Sequence, residues 1–206
     1  MLVNEIFFSI DGEGKRAGEL AAFIRLTGCN LRCSYCDTEY AFHEGKIMTV
    51  EKIADAVKNY FNITLTGGEP LCQNCHELIK ILSDHEINIE TNGSIDISEY
   101  RNYPQVFFTI DYKCPSSDMQ NKMFEKNFEL LNGADVLKFV VGDLNDLNTA
   151  KNFCDFYKPK SLIYISPVFG KINPAEIVEY MKKNLCGWRL QLQLHKYIWN
   201  PEKRGV

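Results

Sequence analysis

The chain has 206 residues, of which 45% are hydrophobic, and a formal net charge of −4. That length and apolar content suit one folded unit, 1–206, with a proper core, and the mild acidity offers no broad cationic surface for nucleic acid. The longest apolar run falls well short of a membrane span, and the opening Met1-Leu2-Val3-Asn4-Glu5-Ile6 lacks the pattern of a secretory leader. A reducing cytoplasm is therefore the expected setting, without membrane or nucleic-acid partners.

Taken in chain order, strand-like segments bounded by Gly, Pro, Asn or Asp are expected at Glu5–Ile10, Ala21–Leu26, Ile63–Thr66, Ile87–Thr91, Val106–Ile110, Val136–Val141, Leu162–Ser166 and Leu190–Leu194. Helical periodicity fills most of the gaps. Thr49–Phe61 starts behind a capping Thr49, with Val50, Ile53, Ala54, Val57 and Phe61 on one face. Further helices are expected over Gln73–Leu82, Asp118–Leu131 and Leu144–Phe156. Another begins at Asn173-Pro174-Ala175-Glu176, with a capping Asn and Pro in the first turn. Alternating strand and helix implies an α/β fold with a mainly parallel sheet. Too few units are present for an eightfold barrel, so the expectation is an abbreviated, partial TIM-type barrel of about six parallel strands. Ligand sites in such sheets lie at the carboxyl ends of the strands.

The chain holds eight cysteines, and three of them, Cys29, Cys33 and Cys36, fall on one short segment at such a strand end. In a reducing compartment clustered thiols point to metal or redox chemistry, and three thiolates on a soft metal centre leave a coordination position open. Cys72, Cys75, Cys114, Cys154 and Cys186 are read as small apolar packing residues. A zinc knuckle recruiting the Cys72-Gln73-Asn74-Cys75 pair is the alternative use of the cluster. A second strand ends in Thr66-Gly67-Gly68-Glu69-Pro70. Two glycines there permit close approach of backbone to a ligand, and the Glu69 carboxylate beside them suits an ammonium group.

Together these motifs resemble those of the radical S-adenosylmethionine superfamily, in which a CxxxCxxC loop holds a 4Fe-4S cluster and a GGEP strand end meets the methionine part of the cofactor. The stretches Phe7-Phe8-Ser9-Ile10-Asp11-Gly12-Glu13-Gly14, Phe23-Ile24-Arg25-Leu26 and Cys36-Asp37-Thr38 narrow the resemblance to the 7-carboxy-7-deazaguanine synthase family. That family converts 6-carboxy-5,6,7,8-tetrahydropterin, by ring contraction and loss of ammonia, into the 7-deazapurine precursor of queuosine, with magnesium assisting.

The resemblance implies that Cys29, Cys33 and Cys36 bind one cluster and Thr38 binds magnesium. Ile10, Asp11, Gly12, Glu13, Arg25, Thr66 and His195 would meet the substrate, with Arg25 facing its carboxylate because a planar guanidinium binds a carboxylate at two points. Tyr35, Cys36, Asp37, Gly67, Gly68, Glu69, Thr91, Asn92, Asp111, Tyr112 and Lys113 would contact S-adenosylmethionine. An electron donor such as flavodoxin or ferredoxin and a homodimeric assembly are implied in the same way.

Each residue also has a plainer use. Thr38 could cap a turn, Asn92-Gly93 could be an ordinary tight turn, Asp111-Tyr112-Lys113 could be solvated, and His195 could be structural. Arg25 within an apolar strand needs a partner worth its desolvation. Asp11 replaces the family's frequent glutamine and Asp111-Tyr112 its frequent Ser-Pro, so a side-chain amide contact at position 11 is not expected. A glycyl-radical activase, using the same cluster on a protein glycine, and a non-catalytic zinc-binding module are the competing functions.

Overall fold

A computed structural model describes the whole chain, Met1–Val206. The first strand, β1 (Leu2–Ile10), turns back through residues 11–19 into the antiparallel β2 (Leu20–Leu26), and a two-residue β3 (Lys46–Ile47) pairs with the other edge of β1. From β2 onward every strand is parallel to the last: β4 (Asn62–Gly67), β5 (Glu86–Thr91), β6 (Val106–Lys113), β7 (Val136–Val141), β8 (Leu162–Pro167) and β9 (Arg189–Leu190). The nine-stranded order β3-β1-β2-β4-β5-β6-β7-β8-β9 never reverses among the parallel strands and never closes, which is the partial barrel the alternating pattern predicts.

The helices are α1 (Val50–Val57), α2 (His76–Ile81), α3 (Lys126–Glu129), α4 (Leu144–Tyr157), α5 (Pro174–Lys183) and α6 (His195–Ile198). Two start as their caps predict, the side chains of Thr49 and Asn173 accepting from the amides of Lys52 and Ala175, and the structure adds Asp143, which caps α4 by accepting from the Asp146 amide. No helix is long and apolar enough to cross a membrane.

Four boundaries differ from the sequence reading. The first helix stops at Val57, because Tyr60 turns back to stack on Phe8 at 4.3 Å and Phe61 is left exposed on the way into β4. Residues 70–72 form a separate 3-10 turn before α2. The expected helix Asp118–Leu131 is a 3-10 turn followed by the single helical turn α3. Its polar first half supplies no apolar stripe, Asp118 adopts φ 62°, and the buried Asn127 side chain is spent on the Gly93 and Ile95 carbonyls and the Ile97 amide. The final strand shrinks to Arg189–Leu190, and Leu194 leads into α6 instead.

Side-chain parity separates the two faces of the sheet. Ala22, Ile24 and Leu26 of β2, Ile63 and Leu65 of β4, Ile87 and Ile89 of β5, Phe108, Ile110 and Tyr112 of β6 and Leu137, Phe139 and Val141 of β7 all join the one large core under the helices. The alternate residues point to the concave side, where Phe23, Phe107, Val136 and Val140 accompany Arg25, Thr64, Thr66, Asn88, Glu90, Thr109, Asp111, Lys113, Lys138 and Ser166. The concave side is therefore far more polar than the helix-covered one.

Candidate active site

The concave face and the loops above it enclose a cavity of about 880 Å³. Its cofactor-like end is built from two strand ends pressed together. The Glu69 amide donates to the Gly28 carbonyl at 2.8 Å and the Gly68 amide to the Leu26 carbonyl at 3.2 Å, tying the GGEP turn to the root of the cysteine loop. Both glycines are required by that approach. A β-carbon on Gly67 would collide with the Leu26 carbonyl, and one on Gly68 would strike the Gly28 carbonyl and lie 2.8 Å from Cys29 Cβ.

Cys29, Cys33 and Cys36 are half-buried and line this end of the cavity. The loop is held against the exit of β6 by the Ser34 amide, which donates to the Ser117 carbonyl at 3.1 Å, and by the Ser34 hydroxyl, which donates to the Ser116 carbonyl. Two N–H groups aim at Cys29 Sγ, from Leu31 at 3.4 Å and from Asn92 Nδ2 at 3.8 Å. Donors directed at sulfur stabilise thiolate over thiol, so the donor set fits a metal–sulfur core. Burial raises the Cys33 and Cys36 thiols above their ordinary range, so loading a metal core here releases protons. Cys75 is in the apolar core, with its Sγ donating to the Pro70 and Gln73 carbonyls, and neither it nor Cys72 lines the cavity. The zinc knuckle drawn from that pair is not built.

Glu69 corrects one expectation. It is fully buried and absent from the cavity wall, because its carboxylate accepts from the Leu71 amide (3.0 Å), the Thr91 hydroxyl (2.9 Å) and the Asn92 amide (2.7 Å). The side chain locks the end of β4 to the end of β5 and leaves the Gly67-Gly68 backbone to face a ligand. Burial lifts its carboxyl to about 7 against those donors. Tyr112 is the second correction. Parity turns it into the core, where it packs between Phe128, Phe139 and Phe153 with its hydroxyl on Gln120 Nε2 at 3.1 Å. Its neighbours Asp111 and Lys113 do line the cavity and are 3.2 Å apart as an ion pair.

Tyr35, Asp37, Thr38, Thr91 and Asn92 also line the wall. Asp37 accepts from the Thr38 hydroxyl at 2.9 Å and from Lys196 Nζ at 3.0 Å. Burial works to raise its carboxyl, but the Lys196 ammonium overcomes this and brings it down to about 2. Lys196 thus pins α6, and with it His195, over the cysteine loop.

The same cavity is also lined by Ile10, Asp11, Gly12, Glu13, Arg25, Thr66 and His195. Arg25 Nε donates to Glu5 Oε1 at 2.9 Å across the hairpin, while its two terminal nitrogens have no protein acceptor. The guanidinium is therefore anchored at one edge and unspent at its fork. The amides of Gly12 and Glu13 likewise donate to no protein group, while the Gly12 carbonyl takes the Leu194 amide at 3.1 Å. His195 Nδ1 would be 2.6 Å from a β-carbon at position 12, so only glycine admits the ring there. Burial lowers the His195 imidazole below its ordinary value, favouring the neutral ring.

Asp11 is spent on the protein. Its amide and carbonyl close the hairpin turn with Glu19 and Gly18, and its carboxylate takes Arg16 Nε and Thr64 Oγ1, each at 3.0 Å. The backbone contact expected of it is therefore left to Gly12 and Glu13. Arg16, which carries no motif in the sequence, is buried behind Asp11 and donates also to the Ile63 and Glu86 carbonyls. Gln191 was missed too: it clamps Gly14 through both backbone groups. Lys138 was legible by the reasoning applied to Arg25, as the one charge in the apolar run Val136–Val141.

A family model described as the radical SAM superfamily matches residues 23–138. Curated proteins similar over their full length include a 7-carboxy-7-deazaguanine synthase of Clostridium acetobutylicum, 47% identical with 99% of this chain and 98% of the relative covered. Another of the same name, from Chlorobaculum tepidum, is 39% identical over 99% and 96%. The fold is similar to the crystal structure of QueE from Escherichia coli, with a TM-score of 0.77 and 93% of each chain covered at 22% identity. It is also similar to a radical SAM methyltransferase from Sphaerobacter thermophilus, at a TM-score of 0.56 and 12% identity, over 84% of this chain and 66% of that one. Membership of the superfamily carries with it a 4Fe-4S cluster and S-adenosylmethionine, for which the three-thiol loop and the Gly67-Gly68 backbone are the matching protein parts. The chain belongs to the 7-carboxy-7-deazaguanine synthase family of radical S-adenosylmethionine enzymes.

Proposed function

We propose that the protein is a lyase that contracts the ring of 6-carboxy-5,6,7,8-tetrahydropterin to give 7-carboxy-7-deazaguanine with loss of ammonia, in the formation of queuosine-type 7-deazapurines. The observation that carries this reading is Arg25, a guanidinium on the cavity wall whose Nε is fixed by Glu5 and whose terminal nitrogens are free. Such a fork matches the planar carboxylate that distinguishes this pterin.

S-adenosylmethionine bound beside the cluster would supply the radical chemistry that starts the rearrangement. The chain does the holding. Cys29, Cys33 and Cys36 would hold the cluster. The Gly67-Gly68 backbone and the Tyr35, Asp37, Thr91, Asn92, Asp111 and Lys113 wall orient the cofactor. Arg25 binds the substrate carboxylate, the free amides of Gly12 and Glu13 with the Glu13 side chain meet the pterin edge, and Thr66 and His195 close over the ring. Arg16 and Thr64 hold Asp11 in place on the wall. Thr38 is the protein oxygen offered to magnesium, a hard cation suited to hydroxyl ligands. A flavodoxin- or ferredoxin-type electron donor, a homodimer and a reducing cytoplasm complete the reading.

The test is product identification after anaerobic reconstitution with iron, sulfide, S-adenosylmethionine and magnesium. Arg25→Ala is expected to raise the pterin KM by about a hundredfold, the value of one charge-assisted contact pair, while iron content stays at the wild-type level. Iron loss in step with activity would assign Arg25 to the fold instead.

A further inference from the structure

Lys138 sits on the concave side of β7 with its side chain 7% exposed. Its ammonium is hydrogen-bonded to Glu13 Oε2 at 2.5 Å and is 3.0 Å from Asp111 Oδ1, a close charge contact in which that buried oxygen takes no hydrogen bond. Those two acids arrive from distant parts of the chain. Glu13 lies on the turn after β1, while Asp111 is the register neighbour of Lys138 on β6. Lys113 takes the other Asp111 oxygen at 3.2 Å, and Glu90 of β5, which lines the same wall, has no hydrogen-bond donor of its own. Lys138 thus lies between a carboxylate of the turn after β1 and one of β6.

Stability alone does not account for this cation. A buried lysine loses solvation that its ion pairs seldom more than replace, and an apolar side chain of similar volume at such a place is often neutral or stabilising. Its neighbours on the same face, Val136 and Val140, show that β7 accepts apolar residues there. An ammonium does have one property that methionine lacks: with three donors it can hold two carboxylates at once in fixed directions and keep both ionised. Burial opposes the charge on Asp111, yet Lys138 and then Lys113 hold its carboxyl below the usual range. On Lys138 itself, Asp111, Glu13 and Glu90 outweigh burial and raise the ammonium far above its ordinary value.

We propose that Lys138 is a positioning residue shared by substrate and cofactor, a single cation that sets the Glu13 carboxylate toward the pterin and the Asp111 carboxylate toward S-adenosylmethionine. The assignment of the two carboxylates to substrate and cofactor rests on the function proposed above. With one Glu13 oxygen held by Lys138 and the other 3.4 Å from Ser166 Oγ, the carboxylate has a fixed plane and can present an oriented acceptor to the N–H-rich edge of an aminopyrimidine.

The test compares wild type, Lys138→Met and Lys138→Arg as anaerobically reconstituted, cluster-containing protein, reading iron per chain, S-adenosylmethionine affinity by titration of the cluster's paramagnetic signal, and pterin KM. Lys138→Met should weaken cofactor binding and raise pterin KM by about tenfold each, at unchanged iron, with Lys138→Arg recovering most of both. Both parameters staying within about twofold of wild type, or only one of them moving, overturns the proposal. If the methionine variant does not fold, crossed measurements decide: Asp111→Asn should raise pterin KM and Glu13→Gln should weaken cofactor binding, and the absence of either cross-effect overturns the shared role. Failure of the wild-type protein to convert the pterin is a different result, because it sinks the functional reading while the cofactor titration still reports on Lys138 and Asp111.

Discussion

The two faces of the same parallel strands differ more than any two domains need to. On β6, Phe108, Ile110 and Tyr112 disappear into the helix-covered core, while Thr109, Asp111 and Lys113 one residue away line the cavity. On β7, Leu137 and Phe139 flank Lys138 in the same manner. The outer face holds the sheet together by burial. The inner face carries buried charges that burial disfavours, and its ions are satisfied mainly by one another. A strand in this protein is therefore half scaffold and half reagent holder, and the period of two keeps the two tasks from interfering.

The comparison can be broken most severely at the junction of the two motifs. Gly68→Ala places a methyl group against the Gly28 carbonyl and Cys29, neither of which can retreat without moving the cysteine loop. Iron content after reconstitution should fall to less than about a third of wild type, with activity lost; normal iron and normal cofactor binding would show that the loop yields. On the outer face, Phe139→Ala should cost about 3–5 kcal/mol in denaturant unfolding while the S-adenosylmethionine affinity of the folded fraction stays unchanged. A selective loss of cofactor binding there would mean that the faces are not independent.

Glu69 sharpens the contrast through pH, because it is an acid placed on the boundary. Its folded carboxyl lies at about 7 and its unfolded one near 4.5, so the native state holds a proton that the unfolded state has already released. Its contribution is fully present below the unfolded value and declines as pH rises through the folded one, by about 3 kcal/mol in all. Glu69→Gln should remove that part of the slope between pH 5 and 8 in isothermal urea titrations, and an unaltered slope assigns it to other groups. The smallest effect is expected at Tyr112. Tyr112→Phe deletes only the bond to Gln120 and should change stability by less than about 1.5 kcal/mol and leave activity as it was.

The strand-and-helix alternation was legible because apolar periodicity is set locally, and the caps at Thr49 and Asn173 mark true starts. The Asp118–Leu131 segment was not, since its path is dictated by Asn127 reaching back to the loop after β5 and not by a stripe of its own. Among the proposed site residues, the cysteine loop, Gly67-Gly68 and Arg25 stood out by pattern and share one cavity. Tyr112 shows that a contiguous motif on a strand cannot put all its members on one side, which the sequence already implied through parity. Arg16 and Gln191 left no such mark. Their importance comes from contacts with backbone many residues away, and a linear chain does not advertise which distant carbonyl a guanidinium will find.

The clamp of Gln191 on Gly14, 177 residues upstream, means that segments far apart in sequence share one wall. The thiol loop is contributed early in the chain, whereas the side beside it is completed by α6, tied down through Lys196, and by the Leu194 amide on Gly12. Cutting the chain before Gln191 would thus keep all three thiols and remove one side of their shelter.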